Sequence, residues 1–148
     1  MDDERRPDLA AMMVPLGRIL MAAEEPVLRA HDLTMWAYAV LYALDDRPLR
    51  NQSALAQSIG ADKTRIIGVL DGLQERGLIR REPDPADRRA HLVSLTPEGR
   101  RLRDAAQAAI QEREDRLLAR LPENERRAFL RALRTLHAVP RDEILGDL

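Results

Sequence analysis

Two adjacent arginines, Arg88 and Arg89, follow a turn-rich stretch, Glu82-Pro83-Asp84-Pro85-Ala86-Asp87, in a segment too polar to bury much of itself. A guanidinium is planar, always charged and weakly hydrated, so a pair lifted away from a protein body suits an anionic groove. A second basic cluster, Lys63-Thr64-Arg65, comes directly after Asp62, a good helix N-cap. Its side chains would share a first helical turn with the unpaired backbone N–H groups and the positive dipole end. Covalent chemistry has no comparable set. There is no nucleophile elbow, phosphate loop or metal motif, and Ser53, Ser58 and Ser94 have no nearby His and acid arrangement to activate them. The chain has no cysteine, which excludes disulfides, thiolate metal sites and thiol redox sensing. An enzyme is not expected.

The elements that must carry these residues follow from apolar spacing and punctuation. Ile66, Ile67, Leu70 and Leu73 recur at helical spacing and predict a helix over 62–76, which Gly77 ends. A shorter helix over 52–59 starts after Asn51 and buries Leu55, Ala56 and Ile59, and Gly60-Ala61 is a turn of helix-turn-helix length. The runs Leu78-Ile79 and Leu92-Val93-Ser94-Leu95 predict two strands of a hairpin over 78–96. Helix, turn, basic helix and Arg-tipped hairpin make a winged helix-turn-helix. The expected fold is mainly α with a small β-hairpin wing and flanking N- and C-terminal helices.

At this point the stretch NQSALAQSIGADKTRIIGVLDGLQERGLIRREPDPADRRAHLVSLTPEGRRL resembles the DNA-binding core of the multiple antibiotic resistance regulator (MarR) family. DPADRR followed by LVSLTPEGR is its most specific part. Asn51 stands where many relatives carry Thr, and both cap a helix well. The resemblance extends to the order and approximate lengths of the terminal helices. It implies a single domain over 1–148, with a DNA-binding lobe at 32–103 and dimerisation helices at 8–24 and 104–140. It also implies a two-fold homodimer, and an effector cleft for small aromatic or phenolic anions.

Composition agrees with this reading. No apolar run approaches 18 residues and no signal-peptide pattern is present, so neither membrane nor export is expected, and a cytoplasmic protein is. The net charge of −1 would by itself argue against nucleic acid. Its distribution argues for it: net −5 over 1–46, +5 over 47–103 and −1 over 104–148. Local field rather than total charge steers a duplex.

The flanks carry apolar stripes that a winged helix alone would not bury. Leu9, Met12, Met13, Leu16, Ile19 and Leu20 form one, with Pro15 either kinking that helix or marking its first turn. After Thr96 as N-cap and Pro97, a long helix is expected to about Leu121, its small Ala105, Ala106, Ala108 and Ala109 allowing close approach. A last helix after Pro122 aligns Phe129, Ala132, Leu133 and Leu136. Dimerisation would set two recognition helices into successive major grooves of double-stranded DNA, about 34–36 Å apart, over a palindromic operator. Lys63, Thr64 and Arg65 are expected at base edges and nearby phosphates, Arg65 as the guanine reader. Gln52 and Ser53 are expected on phosphates. The family pattern places Arg89 in the minor groove. Asp87 is expected to brace an arginine, or to serve as a simple turn residue; Arg88 is that partner or a phosphate ligand.

Sensing is less legible. The expected helix Thr34–Leu44 carries Trp36, Tyr38 and Tyr42, and the apolar stripe Leu33, Ala37, Val40, Leu41 and Leu44 is expected in the core. With Met12, Met13, Leu16 and Met35 these aromatics form a candidate effector pocket, although core filling is the commoner use of such residues. His31, His91 and His137 show no metal-ligand spacing, so no metal is expected; His91 is a candidate phosphate contact. No cofactor is expected beyond a small aromatic or phenolic effector. The rival reading, a winged helix that binds only protein partners, would predict a wing without its arginines.

Overall fold

Three helix ends set the turns of this protein by the same device, a left-handed residue that lets the next N–H reach back five positions. A computed structural model describes residues 5–44 and 50–146; Asp45, Asp46 and Arg47, which enter the charge tally, lie outside the described residues. In chain order the elements are α1 (Leu9–Ala30), α2 (Met35–Ala43), β1 (Arg50–Asn51), α3 (Gln52–Ile59), α4 (Lys63–Glu75), β2 (Ile79–Asp84), β3 (Asp87–Leu95), α5 (Pro97–Leu118), α6 (Glu123–His137) and α7 (Arg141–Gly146). The chain divides into two units after Ile110.

In the first unit α1 ends at Asp32 (φ 54°), α3 at Gly60 (φ 73°) and α4 at Gly77 (φ 71°). The returning bonds are Leu33 N–H to Leu28 C=O (2.9 Å), Ala61 to Ala56 (3.0 Å) and Leu78 to Leu73 (3.0 Å). Glycine adopts this conformation without steric cost, whereas at Asp32 a side chain must tolerate it. There Arg76 Nη1 donates to the Asp32 carbonyl at 2.6 Å and ties that turn to the end of α4.

The core lies between α2, α3, α4 and the sheet. Leu28, Leu33, Val40, Leu41, Leu44, Leu55, Ile66, Leu70, Leu73, Ile79 and Val93 are buried there, with Ala106 and Ile110 from α5. Each such aliphatic side chain contributes roughly 1.5–3 kcal/mol of burial. Ile66, Leu70 and Leu73 face this core, but Ile67 is 47% exposed, against the sequence expectation. One residue along a helix turns the side chain by about 100°, so Ile67 leaves the buried stripe.

The sheet has three strands in the order β1-β3-β2, all antiparallel. The short β1, which apolar patterning does not reveal, pairs Arg50 with Val93 and Asn51 with Leu92. The α1 helix is longer than expected and holds both Pro15 and Pro26 inside it. It continues because Leu28, beyond the second proline, is buried in the core. Leu9, Met12, Met13, Leu16, Ile19 and Met21 on this helix stay exposed.

In the second unit, α6 opens with Glu123 and Glu125 in its first turn and closes with Arg134 and His137 in its last, each complementing the helix dipole. Phe129, Leu133 and Leu136 on α6 are exposed, as are Ile144 and Leu145 on α7, a short helix that lies past the expected end of the last one.

Candidate nucleic-acid interface

Asn51 opens α3 by accepting the Ser53 N–H on Oδ1 at 2.8 Å, which puts Gln52 and Ser53 in the first turn. Asp62 does the same for α4, its Oδ1 taking the Arg65 N–H at 2.7 Å. Lys63, Thr64 and Arg65 are all exposed on that first turn. A groove of about 510 Å³ between the two helices is lined by Gln52, Ser53, Gln57, Asp62, Lys63 and Ile67 among others. Three of the expected DNA contacts, Gln52, Ser53 and Lys63, therefore share one concavity.

The wing is a longer ribbon than its apolar residues suggest. From Ile79 opposite Leu95 the register runs regularly to Pro83 opposite His91, then jumps to Asp84 opposite Asp87. Arg88, Arg89 and Ala90 of β3 are left without a register partner on β2, an excursion in the ladder. Pro83 has no N–H to continue the ladder, which suits a break at that point. Asp84 Oδ1 accepts from Ala86 N–H (2.9 Å) and Asp87 Oδ1 from Arg89 N–H (3.0 Å), so two aspartates fix the tip. Asp87 thus braces the backbone of Arg89, which is its turn-residue role. Arg88 and Arg89 themselves are exposed.

The base of the wing is pinned to α4. Arg81 on β2 sends Nη2 to Asp71 Oδ1 (2.5 Å) and Nε to Gln74 Oε1 (2.6 Å), and its side chain is only 20% exposed. Sequence reasoning missed this clamp, although alternation from buried Ile79 puts Arg81 on the inward face. A second groove, about 390 Å³, is lined by Gln52, Ile67, Gln74, Arg81 and His91. Ile67 thereby contributes an exposed apolar surface between α3, α4 and the wing.

The sequence Thr96-Pro97-Glu98-Gly99 joins wing to α5. Thr96 Oγ1 donates to Gly77 C=O (2.7 Å) and accepts from Gly99 N–H (3.0 Å), while Thr96 N–H reaches Leu78 C=O (3.1 Å). Gly99 is buried so tightly that a Cβ there would stand 2.0 Å from the Leu78 carbonyl oxygen.

The candidate effector residues do not form one set. Arg65 stacks its guanidinium over the Trp36 ring, 5.3 Å from the centroid. Tyr38 and Tyr42 pair with each other, their rings 6.1 Å apart. At about 100° per residue, Trp36 and Tyr38 project from nearly opposite sides of α2, so one pocket on that helix does not take both. Met35 packs against the core, whereas Met12, Met13 and Leu16 are exposed. His31 Nδ1 lies 2.8 Å from the Val27 carbonyl, a local helix-end contact. Among the described residues no group of three His, Cys, Asp or Glu is placed to hold a metal, and no helix is long and apolar enough to cross a membrane.

Residues 31–90 match the family model described as MarR family. The chain is 36% identical over 105 residues to the transcriptional regulator HosA of Escherichia coli O111:H-, spanning 71% of this chain and 78% of that protein. The chain belongs to the MarR family. Among solved structures, the transcriptional repressor CouR bound to a 23-mer DNA duplex is 31% identical, with a TM-score of 0.74 over 88% of this chain and 92% of that one. The regulator PcaV from Streptomyces coelicolor, in complex with its natural ligand, is 30% identical with a TM-score of 0.65 over 89% and 96%. Membership of the MarR family makes the chain a DNA-binding transcriptional regulator.

Proposed function

We propose that this regulator is a ligand-responsive repressor that reads a palindromic operator as a homodimer. The observation that carries the reading is the group of exposed basic side chains held by the fold. Lys63 and Arg65 ride on a capped helix N-terminus, and Arg88 and Arg89 on the strand excursion of a wing clamped to the same helix. Residues 32–103 act as the DNA-binding lobe. Lys63, Thr64 and Arg65 meet base edges and phosphates in the major groove, and Gln52 and Ser53 hold phosphates. Arg89 enters the minor groove and Arg88 lies on the adjoining backbone. Ile67, exposed beside them, is suited to a thymine methyl group.

Dimerisation rests on 8–24 and 104–140, whose exposed apolar stripes include Met12, Ile19, Phe129 and Leu136. On each helix, large apolar side chains left exposed along one stripe suit an interaction site. CouR has been solved both on DNA and bound to p-coumaroyl-CoA, and PcaV with its natural ligand, which supports an aromatic or phenolic effector that releases the operator. The face of α2 bearing Tyr38 and Tyr42 is the proposed effector side.

Substituting Arg89→Ala tests the wing. Operator affinity is expected to fall by on the order of 1–3 kcal/mol with the dimer still folded. Binding that does not change would remove the wing from the mechanism.

A further inference from the structure

Trp36 stands on α2, not on either element that the helix-turn-helix reading assigns to DNA, yet its ring carries the guanidinium of Arg65. Both partners are rigidly based. Thr34 caps α2 through the Ala37 N–H at 3.1 Å, and Ala37, Val40 and Leu41 share one core with Ile66 and Leu70 of α4. The carboxylate nearest in sequence, Asp62, is occupied by the Arg65 backbone N–H, and no carboxylate among the described residues pairs with the Arg65 guanidinium. A cation over a ring engages the ring face and leaves the in-plane N–H donors of the guanidinium for other acceptors. A long side chain that would otherwise sample many rotamers is thus held with its donors unspent.

We propose that Trp36 is a positioning residue for DNA reading, a shelf that pre-orders Arg65 for a bidentate contact with a guanine edge. The proposal deepens the functional reading above and rests on it. Ordering Arg65 before binding reduces the freedom lost when the contact forms, so the shelf raises affinity for the cognate sequence more than for arbitrary DNA.

The test is a double-mutant cycle of Trp36→Leu and Arg65→Ala in the full chain, using a duplex enriched from genomic fragments by the wild-type protein and a mixed-sequence duplex for comparison. Trp36→Leu is expected to weaken the enriched duplex roughly three- to tenfold, to leave the mixed-sequence duplex nearly unchanged, and to add nothing once Arg65 is Ala. Trp36→Phe, which keeps a ring, should retain most of the affinity. Losses from the two substitutions that simply add, or a Trp36→Leu chain that binds as wild type does, overturn the shelf. An Arg65→Ala chain with undiminished affinity overturns the assignment of Arg65 itself. Failure of the wild-type chain to enrich any duplex overturns both readings. Should Trp36→Leu unfold, the emission of Trp36 supplies the readout. It must change on adding the enriched duplex to wild type and stay constant on adding it to Arg65→Ala; the same response in both chains overturns the proposal.

Discussion

Replacing Gly99 by Ala should damage the joint between the wing and α5 out of proportion to the single methyl added. The new Cβ would meet the Leu78 carbonyl oxygen at 2.0 Å and its carbonyl carbon at 2.9 Å, where contacts under 3.0 Å essentially do not occur. Backbone must therefore part from backbone by about 1 Å, because no flexible side chain is present to yield. That movement strains two hydrogen bonds, Thr96 N–H to Leu78 C=O and Gly99 N–H to the Thr96 hydroxyl. Overpacking costs about 1–3 kcal/mol and each of two weakened hydrogen bonds about 1 kcal/mol. The better helix propensity of Ala returns up to about 1 kcal/mol. The net loss is about 3 kcal/mol, or roughly 6–12 °C in Tm for a chain of this length. Thermal unfolding followed by circular dichroism, at one fixed protein concentration, measures it. Gly68→Ala is the control, since a Cβ there meets nothing within 4 Å, and it should hold or raise Tm. A Gly99→Ala chain as stable as wild type would refute the close-approach argument.

Lys63→Ala, if Lys63 holds a phosphate, should weaken binding to all sequences alike and lower the salt slope by roughly one unit. A loss confined to the cognate sequence with an unchanged slope would make Lys63 a base reader. Leu136→Glu places a charge on the exposed apolar face of α6 and should shift sedimentation from dimer towards monomer without loss of helix; an unmoved dimer would take α6 out of the interface. Burial, and then the neighbouring Asp115, raises the Glu114 carboxyl above its ordinary 4.5. A raised folded pKa means that the native chain holds this proton more tightly than the unfolded chain does. Its stabilisation is complete below the unfolded pKa and is lost as pH climbs through the folded value. Glu114→Gln should therefore raise Tm at about pH 7, with the gain shrinking towards about pH 4. A gain that is constant with pH would contradict that cause.

The helix-turn-helix was legible because its signals are local. Asn51, Asp62, Gly60 and Gly77 mark helix ends by their own chemistry, and Leu55, Ile66, Leu70 and Leu73 repeat at helical spacing. What stayed hidden depends on contacts distant in sequence. The two residues of β1 are a strand only because β3 lies beside them. The excursion at Arg88 to Ala90 depends on a register between strands that no single run encodes. The first helix was expected only over 8–24, yet α1 runs on past Pro26 to the buried Leu28. The candidate site was partly legible for the same reason. Basic residues at a helix start and a wing tip announce themselves, whereas the Arg81 clamp and the Arg65–Trp36 contact join separate elements. Grouping Trp36 with Tyr38 and Tyr42 followed residue type, and the helix phase of α2 divides them.

The most direct test of the account is selection of genomic fragments with the purified chain at one stated salt concentration, followed by footprinting of whatever is enriched. The account predicts a two-fold symmetric protected site spanning about two helical turns, with its half-sites in successive major grooves. Enrichment no better than for arbitrary DNA would contradict it.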